Sequence, residues 1–144
     1  MALKMRFLSY SSKSKIKAMA EAIKVEFDLS QNHNATDIIP PAYSCENERL
    51  VILAVSGKGE PDDVLRRYCS ELNKKKAQNV ALLIDGDEKM ANALTTALKT
   101  AGTNVIDDVL YFPVPFKLFG GGKLTDDEKK TLLDWTHGII TKLQ

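Results

Sequence analysis

Histidine and cysteine are scarce in this chain, two of each among 144 residues. Cys45 and Cys69 match no metal-ligand spacing and fall in different predicted elements, so neither a zinc site nor a disulfide framework is expected. His33 and His137 have no further donors at ligand spacing, and no metal site is assigned. Charge of one sign is not in excess either: Lys plus Arg total 20, Asp plus Glu 19, and the net charge is +1. A dedicated nucleic-acid binder would carry a basic surplus. No apolar run approaches the roughly 20 residues that cross a bilayer. The start, MALKMRF, lacks the apolar core and cleavage site of a secretory signal. The expectation is a cytoplasmic protein with neither membrane nor nucleic acid as partner, in which the sequon Asn34-Ala35-Thr36 carries no meaning.

What is present is the balance of one globular domain, 44% hydrophobic and 27% charged, and residues 1–144 read as a single unit. Residues 5–10 form a short apolar strand. Ile16, Met19, Ala20, Ile23 and Phe27 then recur with helical period on one face, with Ser12 or Ser14 as N-cap. Thr36 to Ile39 is a short strand stopped by Pro40-Pro41. Leu50 to Val55 and Val80 to Ile84 are continuous apolar runs, as expected of strands buried on both faces of a parallel sheet. Between them Pro61-Asp62-Asp63 opens a helix, with Pro61 at its first position and Leu65, Tyr68, Cys69 and Leu72 inward. Met90, Leu94, Leu98 and Ala101 mark a third helix closed by Gly102. Val105 to Phe112 is the last strand. Thr125 to Glu128 is a capping box opening a final helix whose inner stripe is Leu132, Thr136, Ile139 and Leu143. The order β-α-β-β-α-β-α-β-α predicts a three-layer αβα sandwich around a five-stranded parallel sheet, with one irregular crossover between the two central strands.

The chemistry concentrates at the first strand–helix junction. Ser9-Tyr10-Ser11-Ser12-Lys13-Ser14-Lys15 offers hydroxyls, ammonium groups and the positive end of a helix dipole, the donors that a phosphate needs. The simpler reading is that these serines cap a helix and nothing binds. Elsewhere the signals are weaker. Asp85-Gly86-Asp87-Glu88 reads as a turn with dipole-stabilising carboxylates, and Asp107-Asp108 as a solvated strand edge. Gly122-Lys123 fails as a phosphate loop because Leu124 stands where Ser or Thr must bind magnesium. A phosphoacceptor receiver domain fails on charge, since its acidic positions hold Ser9 to Ser12 and Ser56-Gly57. Glu46 and Glu48 oppose a thiolate at Cys45, so burial is its expected role. Cys69 reads as core, and Trp135 as a packing anchor or interface residue.

The element order, the serine-rich loop after strand 1, the Pro-Asp-Asp helix start after residues 50–59 and the glycine-rich approach to the last helix together resemble the flavodoxin-like family over essentially the whole chain. That resemblance implies sheet order 2-1-3-4-5 and a ligand crevice at the carboxyl ends of strands 1 and 3. It implies flavin mononucleotide (FMN) as cofactor and electron transfer to a redox partner protein as function, and because no nucleophile–base or acid pair assembles from these residues, an electron carrier or binding module is expected ahead of an independent enzyme. The phosphate would lie on Ser9, Tyr10, Ser11, Ser12, Lys13, Ser14 and Lys15. The ring would lie between Ser56-Gly57-Lys58 and Asp85-Gly86. The chain departs from the family loop T/S-x-T/S-G-x-T/S at one position, Ser12 for glycine. Neither Ser56 to Glu60 nor Asp85 to Lys89 contains an aromatic residue to stack on a flavin, leaving Tyr10 and Tyr43 as the nearest rings. The alternative is therefore a flavin-free module of the same fold that binds a protein partner or a small anion.

Overall fold

The computed structural model describes residues 4–11, 13–29, 36–39, 45–112 and 124–143. In chain order the elements are β1 (Met5–Tyr10), α1 (Ser14–Phe27), β2 (Thr36–Ile38), β3 (Leu50–Gly57), α2 (Asp63–Glu71), β4 (Asn79–Gly86), α3 (Glu88–Ala101), β5 (Asn104–Val105), β6 (Leu110–Tyr111) and α4 (Asp126–Ile140). All strand pairs are parallel, and the paired path runs β2-β1-β3-β4-β5, with β6 also on β4. The chain thus leaves β1 on one side to make β2 and on the other to make β3.

Apolar runs explain the layers. Leu50 to Val55 and Val80 to Ile84 are fully buried, because successive side chains point to opposite faces and both faces are covered. Leu8, Val51, Leu53, Val55, Leu82 and Ile84 pack with Leu65 and Cys69 of α2, with Leu72 at its C-cap, and with Met90, Leu94 and Leu98 of α3. On the other face, Phe7, Ile52, Ala54 and Leu83 pack with Ile16, Met19 and Ile23 of α1 and Leu132, Trp135 and Ile139 of α4. The result is an α/β sandwich of three layers. No helix among the described residues is long and apolar enough to cross a membrane.

Three local expectations need correction. Lys13, not a serine, holds the N-cap position of α1, and its side chain makes no capping bond. Pro61 precedes α2 instead of opening it, because Asp62 takes the cap and its carboxylate accepts from Leu65 N at 2.9 Å. The last strand is two fragments. Val80 pairs with Val105 and Leu83 with Leu110, so three steps along β4 match five along the outer chain. The excess is expelled at Asp107 and Asp108, which are exposed and outside any strand. Trp135 fastens the bulge by donating its indole N–H to the Asp108 carbonyl at 2.9 Å.

At the opposite end of the sheet, Glu48 enters β3 through a single parallel bridge to Ala77. It is fully buried, with neither carboxylate oxygen hydrogen-bonded, and Arg6 approaches it at 3.4 Å. Burial pushes its pKa above the ordinary 4.5, against the opposing pull of Arg6 and Lys4. A raised folded-state value means stability present below pH 4.5 and lost as pH rises through the folded value. The unfolding free energy of wild type minus that of Glu48→Gln, measured by urea titration, is expected to fall across that window; a difference flat with pH would refute the buried charge.

Gly86 is a second sensitive point. A Cβ there would lie 1.8 Å from the Gly57 carbonyl oxygen and 2.9 Å from its carbon. Gly86→Ala is expected to cost at least about 2 kcal/mol, since backbone must move. Gly138→Ala, with nothing within 4 Å of the added carbon in α4, is expected to gain about 0.5–1 kcal/mol in thermal unfolding.

Candidate functional site

The polar groups cut out of the core collect where β1, β3 and β4 end together. Register pairs Tyr10 with Val55, Ser56 with Asp85 and Gly57 with Gly86, so the three carboxyl ends form one crest. The Gly57 carbonyl presses on Gly86, which draws the β3–α2 and β4–α3 loops into contact. Gly59, at φ +75°, donates its N–H to both carboxylate oxygens of Asp87 at 3.0 and 3.2 Å. Asp87 also caps α3 through Met90 N at 3.0 Å, and these backbone donors, Met90 first, hold its pKa below the usual aspartate value.

At the centre of the crest lies a four-residue network. Asp85, 8% exposed, accepts from the Lys13 ammonium at 2.5 Å and from the Ser56 hydroxyl at 2.8 Å, both on Oδ2. Ser56 Oγ lies 2.7 Å from Ser11 Oγ, and Ser11 Oγ accepts the Lys13 backbone N–H at 3.1 Å. Residues distant in sequence are thus joined through hydroxyls and one charge-assisted bond. Of the sequence-derived positions, Ser11, Lys13, Ser56 and Asp85 meet here, on the backbone that Gly57 and Gly86 shape.

The others are placed differently. Ser9 is buried within β1, and its carbonyl accepts from Ile39 N. Ser14 is the exposed first residue of α1, and Lys58 is exposed beside Asp87. Ser12 and Tyr43 lie outside the described residues. Tyr10 turns toward α2 and donates to Asp62 Oδ2 at 2.5 Å. That bond raises the phenol's pKa, while Leu65 N and then Tyr10 lower that of Asp62. Lys15 is 6% exposed and faces α4, where Glu128 holds its ammonium with both oxygens at 2.8 Å. The same Glu128 completes the Thr125 capping box. Lys15, and then the Thr125 N–H, keep its pKa low.

One ring escaped the sequence reading. Tyr111, 42% exposed, stands at the end of β6 level with Ile84. Burial, and then the Glu88 and Asp87 carboxylates, push its phenol up, placing it beside the start of α3. The signal was available only through register, since nothing in the order of residues says that β6 ends next to the β4–α3 loop. Cys45 and Cys69 lie far from this chemistry. Both are buried, Cys45 Sγ lies 3.4 Å from Tyr68 OH, and burial pushes the Cys69 thiol up to about 12.

No family model matches the chain, and neither does any curated protein or solved structure.

Because Lys15 is nearly sealed from solvent, its pair with Glu128 is asymmetric in consequence. Glu128→Gln keeps the cap but strands a buried ammonium, and is expected to cost about 2 kcal/mol, somewhat under the full loss for a completely buried pair. Lys15→Met leaves Glu128 bonded to Thr125 and is expected to stay within about 1 kcal/mol of wild type. Chemical denaturation of both variants checks the order; equal losses would contradict it.

Proposed function

We propose that this protein is a flavodoxin-like module, of strand order 2-1-3-4-5, whose crest holds the phosphate of FMN and which passes electrons to a larger partner protein in the cytoplasm. One observation carries the reading. Asp62, Asp87 and Thr125 cap α2, α3 and α4 with their side chains, whereas α1 starts on Lys13 with no such bond from its N-cap side chain. That helix end opens at the point where the chain leaves β1 on both sides, where α/β sheets take ligands. The Lys13 ammonium stands beside it, while the Ser11 hydroxyl proton is given to Ser56, whose own proton goes to Asp85. This donor set fits a phosphate.

The ring half has fewer supports. Tyr10 and Tyr111 end the strands on either side of β3 and β4, so a planar ligand over the crest would be bordered by both. Each ring offers an apolar face at low entropic cost. FMN, when bound, supplies the redox chemistry. The chain's own contribution is to orient the phosphate on Lys13 and the first turn of α1, and to keep Asp87 and Asp62 ionised as fixed caps beneath the loops.

The second reading, a flavin-free module that binds a protein or small anion, is favoured by the Lys13–Asp85 contact, which spends the ammonium on an internal carboxylate. The two are separated by one measurement. Under the first, purified protein is yellow or quenches added FMN fluorescence with micromolar affinity, and Tyr111→Ala weakens uptake by about tenfold. Colourless protein that leaves FMN fluorescence unchanged would reject the flavin and retain the second reading.

A further inference from the structure

Cys45 and Glu48 share one short segment at the end of the sheet opposite the crest, and both are buried. The Glu48 carboxylate has no hydrogen bond to either oxygen, and Arg6 stands 3.4 Å away. A buried carboxylate without donors is costly when charged and much less so when protonated. Cys45 Sγ lies 3.4 Å from Tyr68 OH on α2, and burial, ahead of every other influence, pushes its thiol up. Closed in this way, the thiol is inert. We propose that residues 45–49 form a pH-gated cover over their own thiol: with Glu48 protonated the segment stays shut on Cys45, and ionisation of Glu48 lets it open locally and brings the thiol into solvent.

The attachment of the segment suits local opening. Ahead of β3 it meets the 75–78 turn through an isolated parallel bridge, Glu48 to Ala77, and not through a ladder. Asn47 N donates to Lys75 O at 2.9 Å, Glu48 N to Lys76 O at 3.0 Å and Gln78 N to Glu48 O at 2.8 Å. The Lys4 ammonium adds a bond to the Glu46 carbonyl. Between Cys45 and Glu48, Asn47 holds φ 55°, a left-handed backbone that costs any residue with a Cβ. A single bridge next to a strained residue belongs to the low-stability end of a fold. Cys69 gives the contrast, since it is fully buried inside α2 and reaching it requires the helix to leave the sheet. The surrounding charges set the sign. Arg6 of β1 and Lys4 before it favour the Glu48 carboxylate, but burial outweighs them. Around Cys45, Arg6 and Lys76 favour the thiolate and Glu48 opposes it. In the open segment Glu48 is hydrated and ionises as an ordinary carboxylate, so opening becomes easier as pH rises through the closed-state value.

Modification of the full chain by a dipyridyl disulfide, followed at each cysteine by peptide mass spectrometry, tests the cover. The thiolate attacks one sulfur of the reagent, the S–S bond breaks, and the other sulfur leaves with the electron pair as a thiopyridone. In wild type at pH 7, Cys45 is expected to react at least about tenfold faster than Cys69. The ratio of the Cys45 rate in wild type to that in Glu48→Gln is expected to rise at least about threefold between pH 4 and pH 7. Both proteins carry the same thiol, so its own titration cancels in that ratio. Should circular dichroism show that Glu48→Gln is unfolded, Glu48→Met serves the same comparison. A ratio that stays flat or falls as pH rises overturns the gate. Cys45 reacting no faster than Cys69 overturns local opening, because global unfolding would then expose both.

Discussion

The β3–β4 ladder ends on a contact that only glycine permits, a Cβ on Gly86 falling 1.8 Å from the Gly57 carbonyl oxygen. Below that point the two strands are sealed on both faces and hold nothing but apolar side chains from Val51 to Val55 and from Val80 to Ile84. Parallel strands of this kind cannot accommodate a polar side chain without a partner, so polar chemistry is displaced to their ends. At the carboxyl ends the missing Cβ lets the two loops touch, and the bonds between Gly59 and Asp87 span them. Ser56 can reach Asp85 because their Cα positions are in register. Gly59 can reach Asp87 because its chain turns through positive φ immediately afterwards.

Charge is handled in three ways, and the differences set what each pair can do. Arg6 and Glu48 are both buried 3.4 Å apart, the carboxylate has no hydrogen bond, and burial makes Glu48 resist ionisation against the pull of Arg6. Lys15 and Glu128 are closer, bidentate and anchored to a helix cap, so they lock α1 to α4. Lys13 and Asp85 are the mixed case, one partner buried and the other reaching solvent.

The sequence made the framework legible where one local rule decided the outcome. Runs with no polar residue announced β3 and β4, and Gly102 and Thr125 announced the end of α3 and the start of α4 through caps that need only their own neighbours. It misled where two local rules competed. Pro61 and Asp62 both favour a helix start, and the carboxylate bond to Leu65 N decided for Asp62. It was silent where partners come from far along the chain. Lys15 looks like a loop cation until Glu128 covers it, and Val105 to Phe112 looks continuous until Trp135 pulls Asp108 out of line. Half of the crest was visible as a string of hydroxyls; that Asp85 would be its centre depends on strand register alone.

That register has a consequence for what affinity means at this site. A binding loop with a free cation gains the full attraction of its ligand, whereas one whose cation is already paired gains only the difference between two partners. The internal partner cannot diffuse away, and it is held at 2.5 Å by a strand end that the core makes rigid. On the proposed phosphate reading, a monovalent anion has little to offer Lys13 beyond what Asp85 provides, while a dianionic phosphate that also engages the first turn of α1 has more. Ring contacts at Tyr10 and Tyr111 would add to the ligand's side of that difference without adding to the carboxylate's. On that reading, selectivity comes from how many contacts a ligand makes at once, because each further contact counts for the ligand and not for Asp85.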